Sequence, residues 1–210
     1  MAILHSGPNG GFSGKAGSIV GVIRLGTAII RGMPKKSKKN KKGTTAQNES
    51  RSKFSQIQLL LKPLIPFIRV GFNMEARSRN MTAHNAAKSY NMLNAFNAVG
   101  ELDYAKVLTS FGKLPGAVSP TVTRDAVGIH FTWENNSEDK WADTDDQVML
   151  LAYDPANNLA YGITSGARRQ AKMETLELHP LVGAQELHTW IAFISDDRER
   201  VSISSYLGIV

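Results

Sequence analysis

Ile129-His130-Phe131-Thr132-Trp133 alternates without a break, with Ile129, Phe131 and Trp133 on one side and His130 and Thr132 on the other. A period of two is the pattern of a strand with one buried face. Working outward, β-prone runs follow one another after Gly100: Ala105–Phe111, Ala126–Trp133, Gln147–Tyr153, Leu159–Ile163, Met173–Leu178, His188–Ile194 and Val201–Leu207. Asp154-Pro155-Ala156-Asn157-Asn158 and Ser195-Asp196-Asp197 supply tight connections between them. Seven strands within residues 101–210 predict an antiparallel, immunoglobulin-like β-sandwich, with Trp133 and Trp190 in its core. The chain contains no Cys, which excludes the inter-sheet disulfide of antibody domains, thiolate metal sites and Cys nucleophiles.

Before Gly100 the period changes. Phe54, Ile57, Leu60, Leu61, Leu64, Ile65 and Ile68 recur at spacings of three and four, one face of a helix. Thr44-Thr45-Ala46-Gln47 reads as its capping box and Gly71 as its close. Pro63 and Pro66 lie inside the pattern and predict a break near Leu61–Pro66. A second helix is expected from about Thr82 to Asn97, with Asn85, Asn91, Asn94 and Asn97 on its solvent face, or else bonding bases or lining a polar interface. Further upstream, Ser18–Arg24 and Thr27–Gly32 read as two strands meeting at Leu25-Gly26, ended by Pro34. The expected class is therefore α+β: an N-terminal β-hairpin and two-helix segment (1–100), then an acidic β-sandwich domain (101–210).

Charge divides the same way. Residues 1–100 carry 16 Lys and Arg against two acids, Glu49 and Glu75; residues 101–210 carry 9 against 16. The densest patch is Lys35, Lys36, Lys38, Lys39, Lys41 and Lys42, within a lysine-rich linker at 35–43. Repulsion extends such a tract, and phosphate would bind it without base reading, because no aromatic is interleaved for stacking. The first 14 residues hold no Lys or Arg, so no signal peptide is read, and no apolar run reaches the ~18–20 residues of a membrane span. The expected location is the cytoplasm or a virion-like assembly.

Motifs of chemistry are missing. Around Gly10, Gly11, Gly14 and Lys15 the phosphate-loop pattern fails, with Asn9 where its first glycine should stand and Ala16 after the Lys. The five His form no H-x-x-x-H pair, and Gly11-Phe12-Ser13-Gly14 lacks nucleophile-elbow spacing. The acidic loop Glu134, Glu138, Asp139, Asp143, Asp145, Asp146 lacks EF-hand spacing and glycine, so it is read as solvated or facing a basic partner. His130, His188 and the Arg168-Arg169 tip are read as surface groups. No cofactor, catalytic residue, metal site or small-molecule substrate is expected.

Gly10-Gly11-Phe12-Ser13-Gly14-Lys15-Ala16-Gly17, Met33-Pro34-Lys35, Thr45-Ala46-Gln47 with Arg51 and Phe54, and the tail Val201-Ser202-Ile203-Ser204-Ser205-Tyr206 together resemble an uncharacterised bacterial family of domains of unknown function. A basic strand region followed by T-x-A-Q is also similar to small phage and prophage proteins, which carry Asn-Pro where this chain has Lys42-Gly43. That likeness implies a structural, self-assembling role. The expected contact segment holds Ile19, Val20, Val22, Ile23, Ile29 and Ile30, whose alternation leaves aliphatic surface on both faces of a hairpin. The expected partner is another copy of the chain or an assembly; the competing expectation is a sequence-independent nucleic-acid binder acting through the lysine tract.

Overall fold

A computed structural model of the chain describes residues 2–4, 7, 10–34, 43–178 and 185–210. The lysine tract 35–42 lies outside the described residues. The chain divides into two compact units, Met1–Thr45 and Ala46–Val210. The helices thus belong with the C-terminal strands, whereas the sequence reading set its boundary at Gly100.

The first unit is a four-stranded antiparallel meander: β1 (Ala2–Leu4), β2 (Phe12–Ala16), β3 (Ile19–Arg24) and β4 (Thr27–Gly32), in that spatial order. The expected hairpin is its second half, and β1 and β2 were not anticipated. Leu25 (φ 48°) and Gly26 (φ 78°) both take positive φ, the two-residue turn whose twist matches paired strands.

The second unit is layered. Helices α1 (Thr45–Leu61), α2 (Ile65–Gly71), α3 (Asn73–Ser78) and α4 (Ala83–Asn94) form one layer. The strands β5 (Val118–Arg124), β6 (Gly128–Glu134), β7 (Gln147–Asp154), β8 (Leu159–Ile163), β9 (Met173–Glu177), β10 (His188–Ile194) and β11 (Ser205–Ile209) form two antiparallel sheets. Their orders are β11-β10-β7-β8 and β5-β6-β9. Strands β7 and β10 are buried on both faces. Met149, Leu151, Tyr153, Trp190, Ala192 and Ile194 pack with Ile57, Leu60, Leu64, Phe67, Ile68 and Phe72 of the helical layer and its turns. Val148, Leu150, Ala152, Ile191 and Phe193 pack with Ile129, Phe131, Trp133 and Leu176 of the smaller sheet. This explains why Gln147–Tyr153 and His188–Ile194 read as near-continuous apolar runs while Ile129–Trp133 alternates.

The prolines act as expected. Helix α1 stops at Leu61 before Pro63, and Pro66 is the second residue of α2, where no intrahelical partner for its missing N–H exists. The second predicted helix starts as expected, with Thr82 Oγ1 accepting from the Asn85 amide at 3.2 Å. It ends at Asn94, earlier than predicted, because Asn97 Oδ1 instead accepts from the amides of Val99 (3.0 Å) and Glu101 (2.8 Å).

Three strand expectations are corrected. Ala105–Phe111 is not a strand: Tyr104–Lys106 forms a 3-10 turn, and side chains take the backbone groups that follow it. Asn91, expected on a solvent face, is fully buried; its amide donates to Leu108 O at 2.9 Å and its oxygen accepts from Leu108 N at 2.9 Å. Ser204 Oγ accepts from Thr109 N at 2.9 Å, and Trp190 Nε1 donates to Val107 O at 3.1 Å. The last strand begins at Ser205 rather than Val201, since Val201 and Ser202 make only isolated bridges. Strand β5 was missed because Pro120 falls inside it, at a shift of register between Val118 and Thr121.

Candidate self-association surface

In the first unit, directly opposite residues share a face. Pairings Ile19↔Gly32, Gly21↔Ile30 and Ile23↔Ala28 define one face, joined by Gly14 opposite Gly21 and by Leu4 opposite Phe12. No charged residue lies among them. Phe12 covers Gly21: a Cβ there would stand 2.6 Å from the Phe12 ring and 2.4 Å from its carbonyl oxygen. The opposite face carries Val20 beside Lys15 and Arg31, Val22 beside Ile29, and Arg24 beside Thr27. The sheet therefore has one apolar face and one face that mixes aliphatics with three cations.

The six residues expected to make contacts are thus divided: Ile19, Ile23 and Ile30 on the apolar face, Val20, Val22 and Ile29 on the cationic one. Neither set is buried. Ile19, Val22, Ile23, Ile29 and Ile30 are 37–62% exposed, and Val20 is half-buried. Residues 1–45 contain nine Lys and Arg and no acid, so Lys15, Arg24 and Arg31 have no carboxylate in their own unit. Residues 46–210 hold 16 bases against 18 acids, a net of −2.

In the second unit Arg168 and Arg169 both meet carboxylates. Arg169, expected at a solvated tip, is fully buried. Its guanidinium pairs with Asp146 Oδ2 at 3.1 Å, donates to the carbonyls of Pro115 (2.9 Å) and Gly116 (3.3 Å) and to Asn136 Oδ1 (2.5 Å), and lies 3.9 Å over the Phe193 ring. Burial pulls its pKa down against the opposing pull of Asp146. Arg168 pairs with Asp145 at 2.9 Å on the surface. The acidic loop therefore faces a basic partner inside its own chain, through its last two carboxylates.

His188, expected on the surface, is also buried. It stacks on Tyr104 with ring centroids 3.8 Å apart, and its Nδ1 lies 2.7 Å from Tyr206 Oη. Burial lowers its pKa, opposed by Glu186. Tyr153, in the same cluster, is pushed up to about 12 by burial. Trp133 and Trp190 are core residues, as expected. His130, half-buried, lies 2.7 Å from Asp125 and 2.9 Å from Thr175 Oγ1.

Among the described residues no three His, Asp or Glu side chains gather as a metal-binding group, and no helix is long and apolar enough to cross a membrane. No curated protein and no solved structure matches the chain. The model of one family matches residues 11–208, from the second strand of the N-terminal sheet to the last strand of the C-terminal unit. With nearly its whole length inside that match, the chain belongs to DUF6266, a family of unknown function.

Proposed function

We propose that the protein is a non-enzymatic structural component that associates with copies of itself, or docks in a larger virion-like assembly, through its N-terminal sheet. The observation carrying this reading is the four-stranded sheet with an uncharged aliphatic face and no buried side chain among its aliphatics. Sheets of this size hold together in water when such a face is covered. The C-terminal unit is then a peripheral module. Its strand order supports an immunoglobulin-like reading: first, second and fifth strands in one sheet, with the fourth strand moved to the sheet opposite its place in constant-type domains.

Sedimentation tests the proposal. Wild type, treated with nuclease, is expected to sediment as an oligomer. Ile23→Asp combined with Ile30→Asp places unpaired charge in the contact, a cost of several kcal/mol, and is expected to return the monomer. A wild-type chain that stays monomeric at high concentration overturns the reading. The net charge of +9 over residues 1–45 favours a second reading, sequence-independent binding of nucleic acid through Lys35, Lys36, Lys38, Lys39, Lys41 and Lys42. Monomeric protein whose affinity for duplex DNA falls steeply with salt would support that instead.

A further inference from the structure

The free edge of β4 carries more information than its face. Met33 N donates to Ser18 O at 2.8 Å, which makes Ser18 and Met33 a hydrogen-bonded pair. Pairs alternate along an antiparallel ladder, and the β3–β4 register has no shift. Thr27, Ile29 and Arg31 therefore bond inward to β3. Ala28, Ile30 and Gly32 direct their N–H and C=O groups away from it. Among the described residues β4 pairs with no other strand, and all six of its residues are exposed. The two-residue turn bounds this edge at one end. Pro34, with no N–H, bounds it at the other. Nothing blunts it between, whereas β5 carries Pro120 and a register shift.

We infer that the occupant of this edge is β4 of a second copy, paired antiparallel about a two-fold axis at Ile30. This deepens the proposed self-association and rests on it. An axis perpendicular to the sheet keeps each face on its own side, so residues of like face must meet. The register that opposes Ile30 to Ile30 of the second copy also opposes Ala28 to Gly32. It engages all three outward-facing residues as hydrogen-bonded pairs. It sets Arg31 against Ile29, while a slip of one residue pair along the strand toward Pro34 would set Arg31 against Arg31. The product is a continuous eight-stranded sheet whose two apolar faces lie on the same side.

Because the chain has no Cys, single substitutions report this geometry cleanly. Across the axis the two Ile30 Cα atoms stand about 5.5 Å apart, within the roughly 4.4–6.8 Å that a disulfide spans. The two Ala28 positions are offset by four residues, about 13 Å along the strands. Under mild oxidation full-length Ile30→Cys is expected to form a covalent dimer at least about tenfold faster than Ala28→Cys, and Ile30→Pro, which removes only an outward N–H, is expected to sediment as a monomer. If wild type associates but Ala28→Cys cross-links as fast as Ile30→Cys, this register is wrong and self-association stands. If wild type is monomeric and neither variant cross-links, both fall. Should Ile30→Pro unfold the sheet, the two Cys variants still decide.

Discussion

Arg169 replaces its hydration with a carboxylate, two carbonyls, an amide oxygen and the face of Phe193. Its own carbonyl accepts the Trp133 indole N–H at 2.8 Å. Arg169→Ala would strand the Asp146 carboxylate in the interior and should cost about 3–5 kcal/mol, read as a lowered denaturation midpoint. Arg169→Lys should recover little, since one ammonium cannot donate to all the acceptors arrayed around a planar fork. The sequence hid this residue: an Arg-Arg pair after Ser165-Gly166 has the composition of a solvated tip, and local pattern carries no trace of a carboxylate 23 positions earlier. His188 was hidden likewise, by standing at the first position of its strand. Its lowered pKa gives a signed pH dependence. The unfolded chain takes up the proton first, so stability is full above the ordinary His value of about 6.5 and falls as pH drops through the folded pKa. Melting temperature should decline on acidification, and His188→Gln should make that decline shallower. It should not abolish it, because His84 is also lowered, by burial and by Lys88.

At the scale of elements, local chemistry spoke most clearly where one force dominated. The strands at β7 and β10, the break near Pro63 and the hairpin at Leu25-Gly26 were all legible, whereas the burial of β7 and β10 on both faces came only with the helices packed on one side and the smaller sheet on the other. The segment 105–111 misled because its apolar pattern is real but its backbone is satisfied by Asn91, Ser204 and Trp190, partners distant in sequence. The residues of the proposed contact can be named from the sequence, but not assigned to faces. Only the pairing register separates Ile23 from Ile29, and periodicity within one strand cannot supply it. Leu25 itself is ill suited to φ 48°. Leu25→Asn should stabilise the hairpin by about 1 kcal/mol, seen as slower amide exchange at Val22 and Ile29, which bond across the ladder.

For the whole molecule, the division at Thr45 has a thermodynamic corollary. Within the second unit the helices cover one face of the β11-β10-β7-β8 sheet, so a chain beginning at Glu101 would expose Met149, Leu151, Trp190 and Ile194 to water. Residues 46–210 should melt in one cooperative transition by calorimetry, and residues 101–210 alone should not. The sequence marked Gly100 because the periodicity changes there, but a change of period marks a change of element and not the edge of a core. The lysine tract makes its own prediction: replacing all six Lys with Gln should reduce the slope of log K against log[salt] on duplex DNA by roughly 5.

The outward edge of β4 is complete by residue 32, whereas the core of the second unit closes only when Val201, beyond β10, has been made. At roughly 5–20 residues per second, synthesis separates those events by on the order of ten to thirty seconds. If the β4 edge pairs as proposed, each ribosome on a shared message would hold during that interval a finished edge on an unfinished chain, with neighbours bearing the same edge at close range. Copies would then meet before they are free in solution, and the partner of any given chain would be chosen by the spacing of ribosomes rather than by diffusion.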